Sequence, residues 1–168
     1  KIHNFKNEFV SDKAPQNFMW IGFIKYFFPN AKVVHCYRNA YDNFLSLYKN
    51  NFASNQHMGW TFNPDNIVKF YNMYSDLMNF WKSKFGDFIY NINYDKLVTE
   101  NKTEIKKLLN YCELEKEDNC FNHHKNKNPI TTVSLYQARK PIYKSSLNSS
   151  ETFKQYLEKY FKLLNKLD

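Results

Sequence analysis

Glycine is scarce in this chain: 168 residues hold three, Gly22, Gly59 and Gly86, and no two stand close together. Within these residues that excludes a glycine-rich loop, in which successive N–H groups cradle a phosphate at a helix N-terminus. Cysteine is equally sparse. Cys36, Cys112 and Cys120 form an odd set without a CxxC half-site, which excludes a disulfide framework and points to free thiols in a reducing compartment. Cys120 with His123 and His124 lacks the fourth ligand of a tetrahedral zinc site, so no metal is expected. Long apolar runs are missing too. The longest, residues 18–28, contains Lys25 and falls well short of the ~20 residues that span a bilayer, so it reads as a core helix.

Acidic residues are outnumbered, 16 against 24 Lys and Arg, which leaves a net charge of +8 and predicts an anionic partner: a nucleotide, a sulfated or phosphorylated product, a nucleic acid or a membrane surface. Asn-Lys pairs recur throughout, a bias that owes more to base composition than to nucleic-acid contact. With 43% hydrophobic and 19% aromatic residues the chain can fill a substantial core, and it reads as one domain over residues 1–168.

Hydrophobic periodicity supplies the elements. Residues 8–12 read as a short strand, 17–27 as a helix with Phe18, Ile21, Ile24 and Phe28 on one face, 31–37 as a strand and 40–52 as a helix. Residues 54–63 read as a loop. Pro64 then opens a helix over 65–85 that buries Ile67, Phe70, Tyr71, Tyr74, Leu77, Met78 and Trp81. A strand over 88–94 and a helix over 103–111 follow. The segment from His123 to Tyr143 has neither period and reads as a long functional loop. A last helix over 151–167, capped by Ser149 and Ser150, carries Phe153, Tyr156, Leu157, Tyr160, Phe161 and Leu164 as its stripe. Strands alternating with helices predict an α/β fold, a parallel sheet flanked by crossover helices.

The stretch from His35 to Tyr48 carries the chemistry. A strand ends at Tyr37, Arg38 follows, and Asn39 with Asp42 makes a capping pair at the head of the next helix. Ligands of open α/β sheets bind beyond the carboxyl ends of the strands, and a guanidinium there suits a terminal phosphate through its planar fork of donors. Ser46 can add a hydroxyl from the helix.

These residues, Arg-Asn-Ala-x-Asp-x-x-x-Ser-x-Tyr, resemble the 3′-phosphate motif of sulfotransferases that use 3′-phosphoadenylyl sulfate (PAPS). Other segments follow in the family's order: Asp12-Lys13-Ala14-Pro15-Gln16-Asn17-Phe18, Phe28-Pro29-Asn30-Ala31-Lys32, Tyr94-Asp95-Lys96-Leu97, Thr132-Val133-Ser134, and Gln137 through Tyr143. The likeness is nearest to the tyrosylprotein sulfotransferases and to bacterial sulfotransferase domains linked to tetratricopeptide repeats, and it implies a P-loop-NTPase-like fold. Because the family's 5′-phosphosulfate loop has no counterpart here, the resemblance implies the C-terminal two thirds of such a domain, and its setting a bacterial cytoplasm.

Roles follow from the resemblance. Lys13 stands where the family has its transition-state lysine. Arg38 and Ser46 match the 3′-phosphate ligands, Tyr94 a nucleotide-contacting tyrosine, and Ser134, Gln137, Arg139 and Lys140 the segment that closes over the adenosine. Asn128 stands where related sequences have arginine. PAPS would be the donor and a hydroxyl group on a protein tyrosine, carbohydrate or small molecule the acceptor, with no metal. No general base is assigned; His35, inside a strand, and His57, in a loop, are the two histidines weighed. The charge alone supports a second reading, a noncatalytic basic module for RNA or an acidic partner.

Overall fold

The computed structural model of the chain describes residues 9–50, 52, 56–126 and 139–167. A 3-10 helix, Pro15–Trp20, runs into α1 (Ile21–Phe27); then come β1 (Val33–Tyr37), α2 (Ala40–Lys49), a 3-10 helix Gln56–Phe62, α3 (Pro64–Phe85), β2 (Ile89–Asn93), α4 (Tyr94–Thr99), α5 (Asn101–Tyr111) and α6 (Lys154–Phe161). β1 and β2 pair in parallel, from Val33 opposite Ile89 to Tyr37 opposite Asn93. Parallel strands require a crossover, and α2 with α3 provides it.

Helices lie on both faces of this ribbon. On one, Ile21, Met78, Phe88 and Ile89 form a buried cluster surrounded by Phe18, Val33, Tyr74 and Trp81. On the other, Tyr90 stacks on Tyr111 of α5 with centroids 4.9 Å apart, and the Tyr111 hydroxyl donates to the Phe88 carbonyl at 2.8 Å. A second cluster joins α2 to α6 through Phe44, Leu45, Ile67, Val68, Leu157 and Phe161. Phe44 is fully buried there, a burial that contributes about 1.5–3 kcal/mol.

Local chemistry explains the helix starts. The Asn39 side chain accepts from the Tyr41 and Asp42 amides, and Asn63 accepts from the Asp65 amide with Pro64 in the first helical turn, both N-cap arrangements that satisfy otherwise orphaned donors.

Several expectations are corrected. Residues 9–12 form no strand: Phe9 and Val10 are exposed, and the described sheet pairs β1 only with β2, so these residues lack the ladder partner that a strand needs. The helix expected over 17–27 begins as a 3-10 helix, Pro15–Trp20, where the Trp81 indole N–H donates to the Phe18 carbonyl at 2.9 Å. Phe28 lies beyond α1 and is exposed. α2 stops at Lys49 rather than 52 because Asn50 turns extended and its side chain bonds back to the Ser46 carbonyl at 2.7 Å.

The final helix is eight residues long, not seventeen. Past it, the Lys166 carbonyl accepts from Ser75 Oγ at 2.9 Å and the Asn165 amide donates to Asn72 at 2.8 Å, so the tail leaves the helix to bond α3. Phe153 and Tyr156 are accordingly exposed rather than part of its stripe. The loop expected over 54–63 contains a 3-10 turn, and α4 was not anticipated: Asn93 caps it by accepting from the Lys96 amide at 3.0 Å.

Candidate functional site

The register of the two strands builds the site. Tyr37 sits opposite Asn93, so the next residues, Arg38 and Tyr94, leave the sheet side by side at its carboxyl edge. The Arg38 guanidinium lies over the Tyr94 ring, 5.2 Å from the centroid, within the range of a cation–π contact. Arg38 Nη2 donates to Asp42 Oδ2 at 3.1 Å and also to the Ser146 carbonyl. The Tyr94 hydroxyl is 3.4 Å from Ser146 Oγ. The late segment thus closes against the strand ends from 108 residues away along the chain.

Asp42 is the centre of the arrangement. Its side chain is 1% exposed; Oδ1 accepts from the Ser150 amide at 2.8 Å and from Ser149 Oγ at 3.3 Å, while Oδ2 faces Arg38. Burial works against the charged carboxylate, but the hydrogen bonds from Ser150 and the Arg38 charge outweigh it and hold Asp42 below the ordinary carboxylate pKa. Asn148, with φ of 53°, makes the left-handed step that turns Ser149 and Ser150 toward it, a conformation asparagine tolerates well.

One donor in this cluster stands out. Arg38 Nε is buried and has no hydrogen-bond partner among the described residues, in a side chain that is 19% exposed overall. An N–H in that position is expensive to leave unpaired. A guanidinium fixed by a carboxylate at one corner and an aromatic ring on its face can offer its remaining donors to an anion such as a phosphate.

The other expected residues distribute as follows. Ser46 is one turn beyond Asp42 on the same row of α2; Arg38 turns to Asp42, and Asn50 Nδ2 approaches Ser46 Oγ at 3.5 Å. Lys13 is exposed, just ahead of the 3-10 helix Pro15–Trp20, and takes no part in the contacts around Arg38. Arg139 is half-buried and Lys140 exposed; the Lys140 carbonyl accepts from His123 Nε2 at 3.2 Å. Ser134 and Gln137, with Thr132, Val133 and Asn128, lie outside the described residues.

His35 is fully engaged. Its Nδ1 is 2.7 Å from Asn91 Oδ1 and its Nε2 2.5 Å from the Tyr74 hydroxyl. A surface hollow of about 300 Å³ opens at the opposite, amino end of the strands, lined by residues that include Lys32, Asp87, Tyr111 and Glu113. Its cation, Lys32, is already paired with Glu113, whereas Arg38 Nε at the carboxyl end has no hydrogen-bond partner among the described residues. Among the described residues no group of metal-ligating side chains is assembled, and no helix is long and apolar enough to cross a membrane.

The residues missed from sequence were Asp42 as the organising carboxylate and Ser146, Ser149 and Ser150 as its partners. A signal existed for the first: Arg38 and Asp42 are opposite charges four residues apart across a helix start. The serine pairs at 145–146 and 149–150 gave no hint of their target.

Residues 1–118 match the model of a family described as the sulfotransferase family. A protein from Aquifex aeolicus (strain VF5), itself described only as uncharacterized, is 37% identical over 156 residues, covering 92% of this chain and 20% of that protein. The chain therefore spans about a fifth of the length of the curated relative it matches.

Proposed function

The chain belongs to the sulfotransferase family, and from that premise we propose that its carboxyl-edge cluster binds the 3′-phosphate of PAPS, or of the product 3′-phosphoadenosine 5′-phosphate (PAP), in support of sulfuryl transfer to a hydroxyl acceptor. What carries the reading is the buried Nε of Arg38, which has no hydrogen-bond partner among the described residues. A terminal phosphate offers several acceptors to such a donor. Arg38 would grip it through the donors not committed to Asp42 and Ser146, Tyr94 would hold the guanidinium plane, and Ser46 would add a hydroxyl from α2.

In this reading Ser134, Gln137, Arg139 and Lys140 belong to the segment that covers the adenosine, with its far end anchored at Ser146–Ser150. PAPS, when bound, supplies the sulfuryl group. Lys13 contributes fixed positive charge where the departing phosphate oxygen gains negative charge, the same electrostatic logic as in phosphoryl transfer. Binding and charge placement are what these residues do. His35 has no lone pair open to an acceptor hydroxyl, because both ring nitrogens already have partners.

Thermal unfolding with and without PAP tests this. At PAP 100-fold above its Kd, linkage predicts a stabilisation of about 2.7 kcal/mol. Adenosine 5′-phosphate, which lacks the 3′-phosphate, should give far less, and Arg38→Ala should abolish the difference. Equal effects of the two nucleotides would refute the assignment. Steeply salt-dependent retention of RNA without a PAP response would favour the basic-module reading instead.

A further inference from the structure

Arg38 does not reach its position unaided. Three independent parts of the chain meet at Asp42: its own helix, the Arg38 side chain arriving from the end of β1, and the Ser149–Ser150 turn from the late segment. The carboxylate has two oxygens and uses each for a different task. Oδ1 takes the Ser150 amide and Ser149 hydroxyl; Oδ2 takes Arg38. The carboxylate is 1% exposed and both its oxygens are hydrogen-bonded, so removing it leaves the half-buried Arg38 cation without its charged partner and the Ser150 amide without its acceptor at once.

We propose that Asp42 is a positioning residue: it fixes the Arg38 guanidinium in the orientation that directs Nε toward the nucleotide's 3′-phosphate, and it fastens the 146–150 segment across the same guanidinium, so that the anion site and the closing segment form together. This rests on the phosphate reading of the Arg38 site. The Ser146 carbonyl on Nη2 and the Tyr94 ring under the guanidinium plane are the other two restraints. Neither carries the opposite full charge that Asp42 Oδ2 presents to Nη2 at 3.1 Å, and a hydrogen bond between two ionised groups is stronger than a neutral one.

Asp42→Asn tests it, because asparagine keeps the shape and can still accept from the Ser150 amide while losing the charge that aligns Arg38. PAP affinity is measured by calorimetry for the unaltered chain, Asp42→Asn, Arg38→Ala and the double variant. Asp42→Asn should bind PAP roughly tenfold more weakly, and in the Arg38→Ala background the same substitution should change affinity little, since its effect passes through that guanidinium. A purely structural role would instead make the two losses add. Amide exchange at Ser150, read without nucleotide, should quicken in Asp42→Ala, which removes the acceptor, and stay close to the unaltered rate in Asp42→Asn. PAP affinity in Asp42→Asn equal to that of the unaltered chain, or additive losses, would overturn the inference while leaving the phosphate site standing. Failure of the unaltered chain to bind PAP would overturn the proposed function and this inference together, and Ser150 exchange unchanged in Asp42→Ala would overturn the fastening by itself.

Discussion

The Tyr74 hydroxyl lies 2.5 Å from Nε2 of His35, at the junction of α3 and β1. Asn91 Oδ1, which can only accept, meets Nδ1 at 2.7 Å. Nδ1 therefore carries the proton and Nε2 accepts from tyrosine. Register explains the meeting, since His35 and Asn91 are directly paired across the sheet and Tyr74 faces them from the helix above.

This arrangement has a pH signature. Burial is the larger influence on His35 and lowers its pKa below 6.5, while the hydrogen bond to Asn91 opposes it. The unfolded chain thus takes up a proton at higher pH than the folded one. The stability that neutral His35 contributes is complete above about pH 6.5 and is lost as pH falls below that value toward the folded pKa, with a slope of at most about 1.4 kcal/mol per pH unit. Melting temperatures should decline between about pH 7.5 and 5.5 in the unaltered chain, and His35→Gln, which cannot protonate, should show a flatter profile. The same slope in the variant would contradict this account of His35.

Gly22 is required for space. A Cβ there would come within 2.8 Å of the Trp81 ring, and Trp81 cannot swing aside without breaking its bond to the Phe18 carbonyl. Gly22→Ala gains up to about 1 kcal/mol of helix propensity but should lose about 1–3 kcal/mol to overpacking, a net destabilisation readable by urea unfolding. A stabilised variant would show that the indole yields freely.

In the proposed site Tyr94 would act through its ring face, 5.2 Å from the Arg38 guanidinium, more than through its hydroxyl, which reaches Ser146 Oγ only at 3.4 Å. Tyr94→Phe should keep PAP affinity close to that of the unaltered chain, whereas Tyr94→Ala should weaken it by roughly fivefold, about 1 kcal/mol of lost cation–π support. Equal losses in the two variants, measured by calorimetry, would assign the role to the hydroxyl.

What could be read from the sequence was local. An apolar run marked residues 31–37 as a strand, of which Val33–Tyr37 form β1, Asn39 and Pro64 marked helix starts, and the spacing of Ile67, Tyr71 and Met78 marked the buried side of α3, all of it information carried within a few residues. Where distant partners decide, the sequence misled. Trp81 bonds the Phe18 carbonyl within the 3-10 helix from 63 residues away, α3 holds the tail beyond the last helix at Asn165, and Asp42, read as half of a capping pair with Asn39, instead answers to Arg38 and to serines more than a hundred residues on. The candidate site was legible as an arginine at a strand end; the carboxylate bonded to it was not.

The most direct test of the central claim is the Nε–H resonance of Arg38 in a ¹H–¹⁵N spectrum, assigned through its disappearance in Arg38→Lys. The account predicts that titration with PAP shifts this resonance downfield as the Nε–H gains a phosphate oxygen, and that adenosine 5′-phosphate leaves it in place. A resonance unmoved by saturating PAP, or moved equally by both nucleotides, would contradict the claim that this guanidinium recognises a 3′-phosphate.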